Sequence, residues 1–334
     1  MDKRYWVGFN MVKGIGAVRF QALRNHFGDL SIAWQAPVDA LQAAGLSPKL
    51  AERVTQVRAS VDLEKTLAGF AEQGITILTW NDELYPQRLK NIDQPPPVLY
   101  VRGTLTSEDS WAVAVVGTRH VSAYGRQVTD ELATFLAANG VTVVSGLARG
   151  VDAVAHQAAL KAGGRTIGVL GCGMDRVYPP EHAQQAAKMM ASGALISDYA
   201  PGPPPDASNF PPRNRIISGM TMATVVVEAG ETSGALITAQ CAVDQGREIF
   251  AVPGNILAPQ SKGTNKLIAQ GARPLLSAHD LLDVLNLTRI VQQREVRKAL
   301  PTDDVESKLL NVLSQDPLHM DEIRNQTGMP IERV

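Results

Sequence analysis

The sequence predicts an α/β protein built on a doubly wound parallel sheet, with a small all-α zone ahead of it. Three observations carry this. Residues 112–290 alternate short apolar runs with longer helical stretches, the pattern of a parallel sheet covered by helices. The longest apolar runs, Ala112–Val116 and Ala223–Val227, are strand length. Residues 1–60 read as short helices separated by glycine turns.

The elements follow in order. Tyr85–Gly103 contains Gln94-Pro95-Pro96-Pro97, which cannot be a helix interior because proline lacks the N–H and clashes with the preceding turn. It reads as a rigid connector into a short strand, Val98–Val101. Ala112–Val116 is a buried strand, and Ser122–Asn139 a helix ended by Gly140. Val141–Val144 and Thr166–Leu170 are strands, with a helix over Asp152–Ala162 between them. Pro180–Ala191 is a helix and Ala194–Ile196 a short strand. Asn214–Ser218 reads as a helical turn before the strand Ala223–Val227. Gly234–Gln245 is a helix, Glu248–Val252 a strand, and Thr264–Gln270 and Leu281–Leu287 complete the set. Right-handed crossovers close this alternation into one doubly wound sheet.

The 334 residues are 45% hydrophobic and 19% charged, which excludes wholesale disorder, collagen and coiled coil. At roughly 150 residues per domain, the length fits two domains and a remainder. No apolar run reaches the roughly 18 residues of a membrane span, and the N-terminus carries no secretory signal pattern. Two cysteines, Cys172 and Cys241, exclude a disulfide framework, and without a CxxC they read as core residues rather than metal ligands. A cytoplasmic protein without a membrane partner, metal or cofactor is expected. Net charge is −1, and no segment is strongly basic: residues 1–103 hold 12 basic and 10 acidic side chains, residues 104–200 hold 7 and 8. Any anion site must therefore be a local constellation rather than a bulk property.

In a doubly wound sheet, ligands bind beyond the carboxyl ends of the strands. Four strand ends here carry glycine with polar or charged groups: Gly117-Thr118-Arg119-His120, Ser145-Gly146-Leu147-Ala148-Arg149-Gly150, Gly171-Cys172-Gly173-Met174-Asp175, and Glu228–Gly234. Glycine lets backbone N–H groups approach a ligand, and a following helix N-terminus favours an anion. Converging on one crevice, these loops would make a phosphate-binding surface. Thr118 and Arg119 are candidate contacts, as is Arg126 one turn into the next helix; the plainer reading is a turn with solvated arginines. Ser145, Gly146 and Arg149 form a glycine-spaced loop that is neither GxGxxG nor a P-loop. Asp152 and His156, at i and i+4, read as a helix-surface hydrogen bond rather than a metal pair. Gly173 belongs to a weak dinucleotide-like signal, equally explained by a turn. Tyr178 could stack on a base, or pack beside its proline. In Asn209–Gly219, Arg213 and Arg215 flank Asn214, and the two arginines offer guanidinium forks for phosphate; the plainer reading is buried ion pairs, such as Arg215 with Glu228, leaving one arginine for the ligand. Ser233 lies in a nest-like loop at a helix entry.

Together these motifs resemble the DNA-processing protein A (DprA/Smf) family. The resemblance rests on Val116-Gly117-Thr118-Arg119, Ser145–Asp152, Tyr178-Pro179, Phe210–Ile217, Glu228-Ala229 with Ser233–Ala239, Phe250–Gly254 and Gly263–Ile268, preceded by Tyr85-Pro86 and Pro96–Tyr100. It covers about residues 75–285. It implies an extended Rossmann-like domain that binds single-stranded DNA, dimerises, protects incoming DNA during natural transformation and loads the RecA recombinase. It also implies a phosphate contact for Arg119, and a second pocket wall around Tyr178–His182. Here His182 and Ala183 stand where many relatives carry a lysine just after the motif, so this wall carries less charge. The homodimer is expected through helices beyond Gly234.

Outside that core, Val12-Lys13-Gly14-Ile15-Gly16 resembles the turn of a helix-hairpin-helix, whose glycine N–H groups contact phosphate; a plain αα turn is the alternative. Ala44-Gly45-Leu46-Ser47 begins a second, degenerate copy. The expected organisation is a helical, SAM-like domain over 1–65, the extended Rossmann-like DNA-binding domain over 66–290, a linker over 291–302, and a winged-helix-like segment over 303–334 that stops before its last helix and wing. The competing reading is an enzyme, a nucleotide phosphoribohydrolase of the lysine-decarboxylase-like type. The Pro-Gly-Gly-x-Gly-Thr-x-x-Glu loop of that group is absent, and Glu228, Glu231 and Asp198 are the acids left for such chemistry.

Overall fold

The computed structural model describes residues 2–285. Residues 2–280 form one compact unit, and a second unit begins at Leu281. The expected linker over 291–302 and the segment over 303–334 lie outside the described residues.

Six helices open the chain: α1 (Lys3–Met11), α2 (Ala17–Phe27), α3 (Leu30–Gln35), α4 (Val38–Ala43), α5 (Pro48–Ser60) and α6 (Leu63–Glu72). Asp2, Asp29 and Asp62 cap α1, α3 and α6 by accepting first-turn N–H groups. The turns α1–α2 and α4–α5 each hinge on a left-handed glycine, Gly14 and Gly45. The helices close over an aromatic core in which Trp6 stacks on Phe20 at 5.7 Å and Phe9 meets Trp34 edge-on at 5.1 Å. Trp80, beyond the helices, stands edge-on to Trp6 at 5.6 Å. The helical zone therefore shares its core with the sheet, and the boundary expected at 65/66 falls inside α6.

The sheet has nine strands in the order β1-β2-β6-β5-β4-β3-β7-β8-β9. Two antiparallel strands, β1 (Thr76–Thr79) and β2 (Val98–Gly103), extend one side through β6 (Ala194–Ser197). The proline connector is pinned at one atom: Trp80 Nε1 and Tyr85 OH both donate to the Pro96 carbonyl, at 3.0 and 2.7 Å. A single turn, α7 (Gln87–Lys90), lies between.

The remaining strands run parallel. β3 (Ala112–Val116), α8 (Ala123–Ala138), β4 (Thr142–Ser145), α9 (Val151–Lys161), β5 (Thr166–Val169), a short 3₁₀ turn, α10 (Ala183–Ser192) and β6 step outward in one direction. After α11 (Phe210–Met220) the chain returns to the other side of β3 with β7 (Ala223–Val226), α12 (Gly234–Asp244), β8 (Glu248–Ala251), α13 (Lys262–Ala269) and β9 (Arg273–Pro274), and α14 (His279–Val284) follows. Every residue of β3 to β7 is buried, as expected of parallel strands covered on both faces. The order reverses at β3/β7, which opens a crevice above those carboxyl ends.

Two differences from the sequence reading have clear causes. The turn expected over Asn214–Ser218 is a full eleven-residue helix, because Pro211 and Pro212 occupy its first turn, where a missing N–H costs nothing. α6 and β1 were not foreseen, since residues 63–79 lack the long apolar run that marks the central strands.

Candidate functional site

The crevice has a floor and a rim. The floor is a tier of buried polar groups that lock the strand-end loops. Glu228, at the end of β7, is 3% exposed. Its carboxylate accepts the Ser122 N–H at 2.9 Å and the Ser122 hydroxyl at 2.5 Å, while Ser122 Oγ caps α8 by accepting the Gly125 N–H. The Glu228 carbonyl accepts the Thr118 N–H at 2.7 Å, and the Thr118 carbonyl accepts the Val151 N–H. The Gly117-Thr118 turn is thereby fastened to β7 and to the start of α9. Gly150 has φ +78, and a side chain there would strike the Thr118 carbonyl, so only glycine fits.

Asp152 is buried and folds back over the Ser145–Gly150 loop, accepting the Gly146 and Ala148 N–H groups at 3.1 and 3.3 Å. Burial raises its carboxyl pKa against the opposing charge of Arg213 and those N–H groups. His156 does not partner it. The His156 ring is buried and its Nδ1 lies 2.7 Å from Thr166 Oγ1. Thr166 Oγ1 donates to the Val143 carbonyl, so Nδ1 is the protonated nitrogen and Nε2 is left without a partner. The helix-surface hydrogen bond read from the i, i+4 spacing is thus replaced by two separate buried roles. Burial takes the His156 pKa down to about 3.

Several residues expected to contact a ligand belong to this floor. Ser145 is fully buried, its hydroxyl donating to the Val115 carbonyl at 2.7 Å. The N–H of Gly146 is taken by Asp152. Gly173 is packed against residues 200–203 and donates to the Pro203 carbonyl. Arg213 is 5% exposed and donates to the carbonyls of Gly146 and Val169; desolvation lowers its pKa. Asn214 accepts from Arg213 Nε and donates to the Gly234 carbonyl, tying α11 to the start of α12. Arg215 pairs with Asp198 at 2.8 Å, not with Glu228. The reading that one of the two arginines faces a ligand is therefore revised: Arg213 is used up inside and Arg215 is ion-paired. Ser233 caps α12 through the Ala235 N–H.

The rim is exposed. Tyr178, 42% exposed, stacks on Phe210 at 5.7 Å with the rings 29° apart. The exposed Arg119 guanidinium lies 5.9 Å from the centre of the Phe210 ring, with Arg213 at 5.8 Å. Phe210 is the centre of this group, and the sequence reading did not single it out; the signal was an aromatic leading the Pro-Pro-Arg turn. Arg149 pairs with Glu181 at 2.5 Å on the surface. His182 Nδ1 lies 3.0 Å from the carbonyl of Leu147, a buried residue in the left-handed region at φ +56. Thr118 is half-buried, its hydroxyl accepting the His120 N–H, and Arg126 is exposed on α8. The structure thus brings Thr118, Arg119, Tyr178 and Phe210 to one mouth, above a floor made of Gly117, Gly146, Asp152, Arg213 and Glu228. Among the described residues no group of three or more His, Cys, Asp or Glu could hold a metal ion. Burial raises the Cys172 thiol to about 11, which suits a packing role.

Known proteins resemble this chain in sequence and fold. The profile described as DNA recombination-mediator protein A matches residues 76–286, and a DprA winged helix domain profile matches residues 293–334, starting inside the stretch expected to be a linker. The chain is 38% identical over 307 residues to the protein Smf of Synechocystis sp., covering 90% of this chain and 77% of that one. It is 40% identical over 264 residues to the DNA processing protein DprA of Bacillus subtilis, covering 77% and 87%. Its fold matches DNA processing protein A from Streptococcus pneumoniae with a TM-score of 0.74 at 31% identity, over 84% of this chain and 97% of that one. The protein of that name from Helicobacter pylori, whose structure was described for its single-stranded DNA binding mode, matches at 0.57 and 29% identity, over 63% and 95%. The chain belongs to the DNA recombination-mediator protein A family, the DprA/Smf proteins.

Proposed function

We propose that the crevice above β3 and β7 binds single-stranded DNA, with little sequence preference and without bond-making chemistry. The observation that carries this is the mouth itself: an exposed Tyr178 ring stacked on Phe210, with the Arg119 guanidinium beside them. An exposed ring face takes any base, and a guanidinium forks onto phosphate. In this reading Thr118, Arg119, Arg126, Arg149, Tyr178 and His182 meet the strand. Ser145, Gly146, Gly173, Arg213, Asn214, Arg215 and Ser233 hold the loops that present them. The three acids of the competing enzyme reading are occupied: Glu228 by Ser122, Asp198 by Arg215, and Glu231 near Lys262 at 3.8 Å.

The proposal extends to protection of incoming DNA, loading of RecA during transformation and recombination, and a cytoplasmic place of work. It includes a homodimer through α12 and α13, supported by exposed Ile237 and Val243 and by a groove that Leu236 and Leu267 line. Among the described residues no helix is long and apolar enough to cross a membrane.

Titration of labelled oligo(dT) with the wild type and Arg119→Ala tests the crevice. With about four cations on phosphates, log K falls against log[salt] with a slope near −3. Arg119→Ala weakens binding and flattens the slope by less than one unit; unchanged affinity removes Arg119 from the site. Light scattering at high concentration tests the dimer, and a monomer there counts against it.

A further inference from the structure

The first hairpin of the helical zone carries more positive charge than the chain average suggests. Lys13, Arg19, Lys49 and Arg53 gather around Gly14. Arg19 donates to the Gly14 carbonyl at 2.7 Å and Arg53 to the Lys13 carbonyl at 3.3 Å, so two guanidiniums bracket the turn. Leu50, next to Lys49, lies against Gly14, which brings the start of α5 beside it. Lys13, Arg19 and Lys49 are exposed, and neither lysine is in an ion pair with a described residue. Two acids border the patch, Glu52 and Asp206. The Asp206 carboxyl is held below the ordinary carboxylate range, chiefly by the Ser208 hydroxyl and N–H and also by the Lys13 charge. Neither α2 nor α5 has a side-chain cap or a first-turn acid, whereas α1, α3 and α6 are each capped by an aspartate. The exposed apolar side chain at the tip is Val18, which offers no ring to a base.

Two links place the patch near the crevice. Asp206, within electrostatic reach of Lys13, stands four residues before Phe210, a span of at most about 14 Å. Asn10, at the end of α1, reaches the Asp198 carbonyl at 3.5 Å, and the Asp198 carboxylate holds Arg215 of α11.

We infer that the Lys13–Arg19 hairpin, with Lys49 and Arg53, is a second phosphate-binding surface that carries the backbone of a single strand leaving the crevice. The inference rests on the crevice reading for where the strand comes from. Contact is with phosphate alone, so it lengthens the footprint without adding base preference.

The test uses the full chain and oligo(dT) of two lengths, about 6 and about 20 nucleotides, at several salt concentrations; a stacked strand advances about 3.4 Å per phosphate, so the shorter one fills the crevice and the longer one reaches the hairpin. Lys13→Ala/Lys49→Ala is expected to weaken the 20-mer about 5- to 10-fold, to flatten its salt slope by about 1.4, and to leave the 6-mer unchanged. The pair Lys65→Ala/Lys161→Ala, exposed elsewhere, is expected to change neither. Wild-type affinity and slope on the 20-mer, equal loss on both lengths, or the same loss from the control pair each overturn the inference. Arg119→Ala separates the two readings. It weakens both lengths if the crevice binds. If it is neutral while the hairpin pair still weakens the 20-mer, the crevice reading fails and the hairpin stands. No binding of either length by the wild type overturns both.

Discussion

The floor and the rim of the crevice are built from the same residue types and do opposite things. Arg213 and Arg119 both lie beside the Phe210 ring, yet one guanidinium is sealed among carbonyls and the other stands in solvent. Asp152 and Glu181 are both carboxylates near strand-end loops; the first closes a buried loop and the second makes a surface pair with Arg149. A motif residue can therefore matter to a binding site without touching the ligand. The floor spends its polarity on fixing backbone, and the rim keeps its polarity available.

That division gives experiments that would break it. The largest effect is expected from Arg213→Met. It leaves two buried carbonyls and the Asp152 carboxylate without their cation, and costs about 3 to 5 kcal/mol by urea denaturation. A loss below about 1 kcal/mol would mean that Arg213 is not part of the floor. Gly150→Ala places a side chain against the Thr118 carbonyl in a glycine-only conformation; about 2 to 3 kcal/mol of stability should go, and DNA affinity with it.

Acid should act on the floor as well. His156 is neutral when folded, with a pKa near 3, against about 6.5 when unfolded. Between those values the unfolded chain binds the extra proton, so this contribution is complete above about pH 6.5 and is lost as pH falls toward 3. Over that window it reaches a few kcal/mol. Denaturation midpoints from pH 7 to 4 should fall more steeply in the wild type than in His156→Gln; parallel curves would refute the assignment. The rim gives the smallest effects on stability: Arg119→Ala should shift it by no more than about 0.5 kcal/mol while weakening DNA binding. Arg149→Ala should change stability only slightly, because an exposed pair is worth about 0 to 1 kcal/mol, while weakening DNA binding.

The parallel strands were legible because burial on both faces leaves nearly unbroken apolar runs, as in Ala112–Val116. The strand-end loops followed from topology. What could not be read was which loop atoms were already taken. Ser145 and Gly146 look like phosphate ligands in sequence, but their partners, the Val115 carbonyl and the Asp152 carboxylate, come from a neighbouring strand and from the next helix. Arg215 was weighed against Glu228, thirteen positions on, and its partner is Asp198, on the segment after β6. Pairings across elements depend on register, which one sequence does not display. The Tyr178–Phe210 stack was missed for the same reason, since its rings come from different crossovers.

One consequence follows from how the sheet ends. β9 is two residues long, and one of them, Pro274, has no N–H to offer a further strand. At the opposite margin, Lys3 reaches across from α1 to donate to the Ile77 carbonyl of β1 at 2.7 Å. An ammonium and a proline thus blunt the two margins, as in sheets that avoid strand addition. Copies of this chain, and any protein that docks on it, are steered away from lengthening the sheet and toward meeting it through helices and loops.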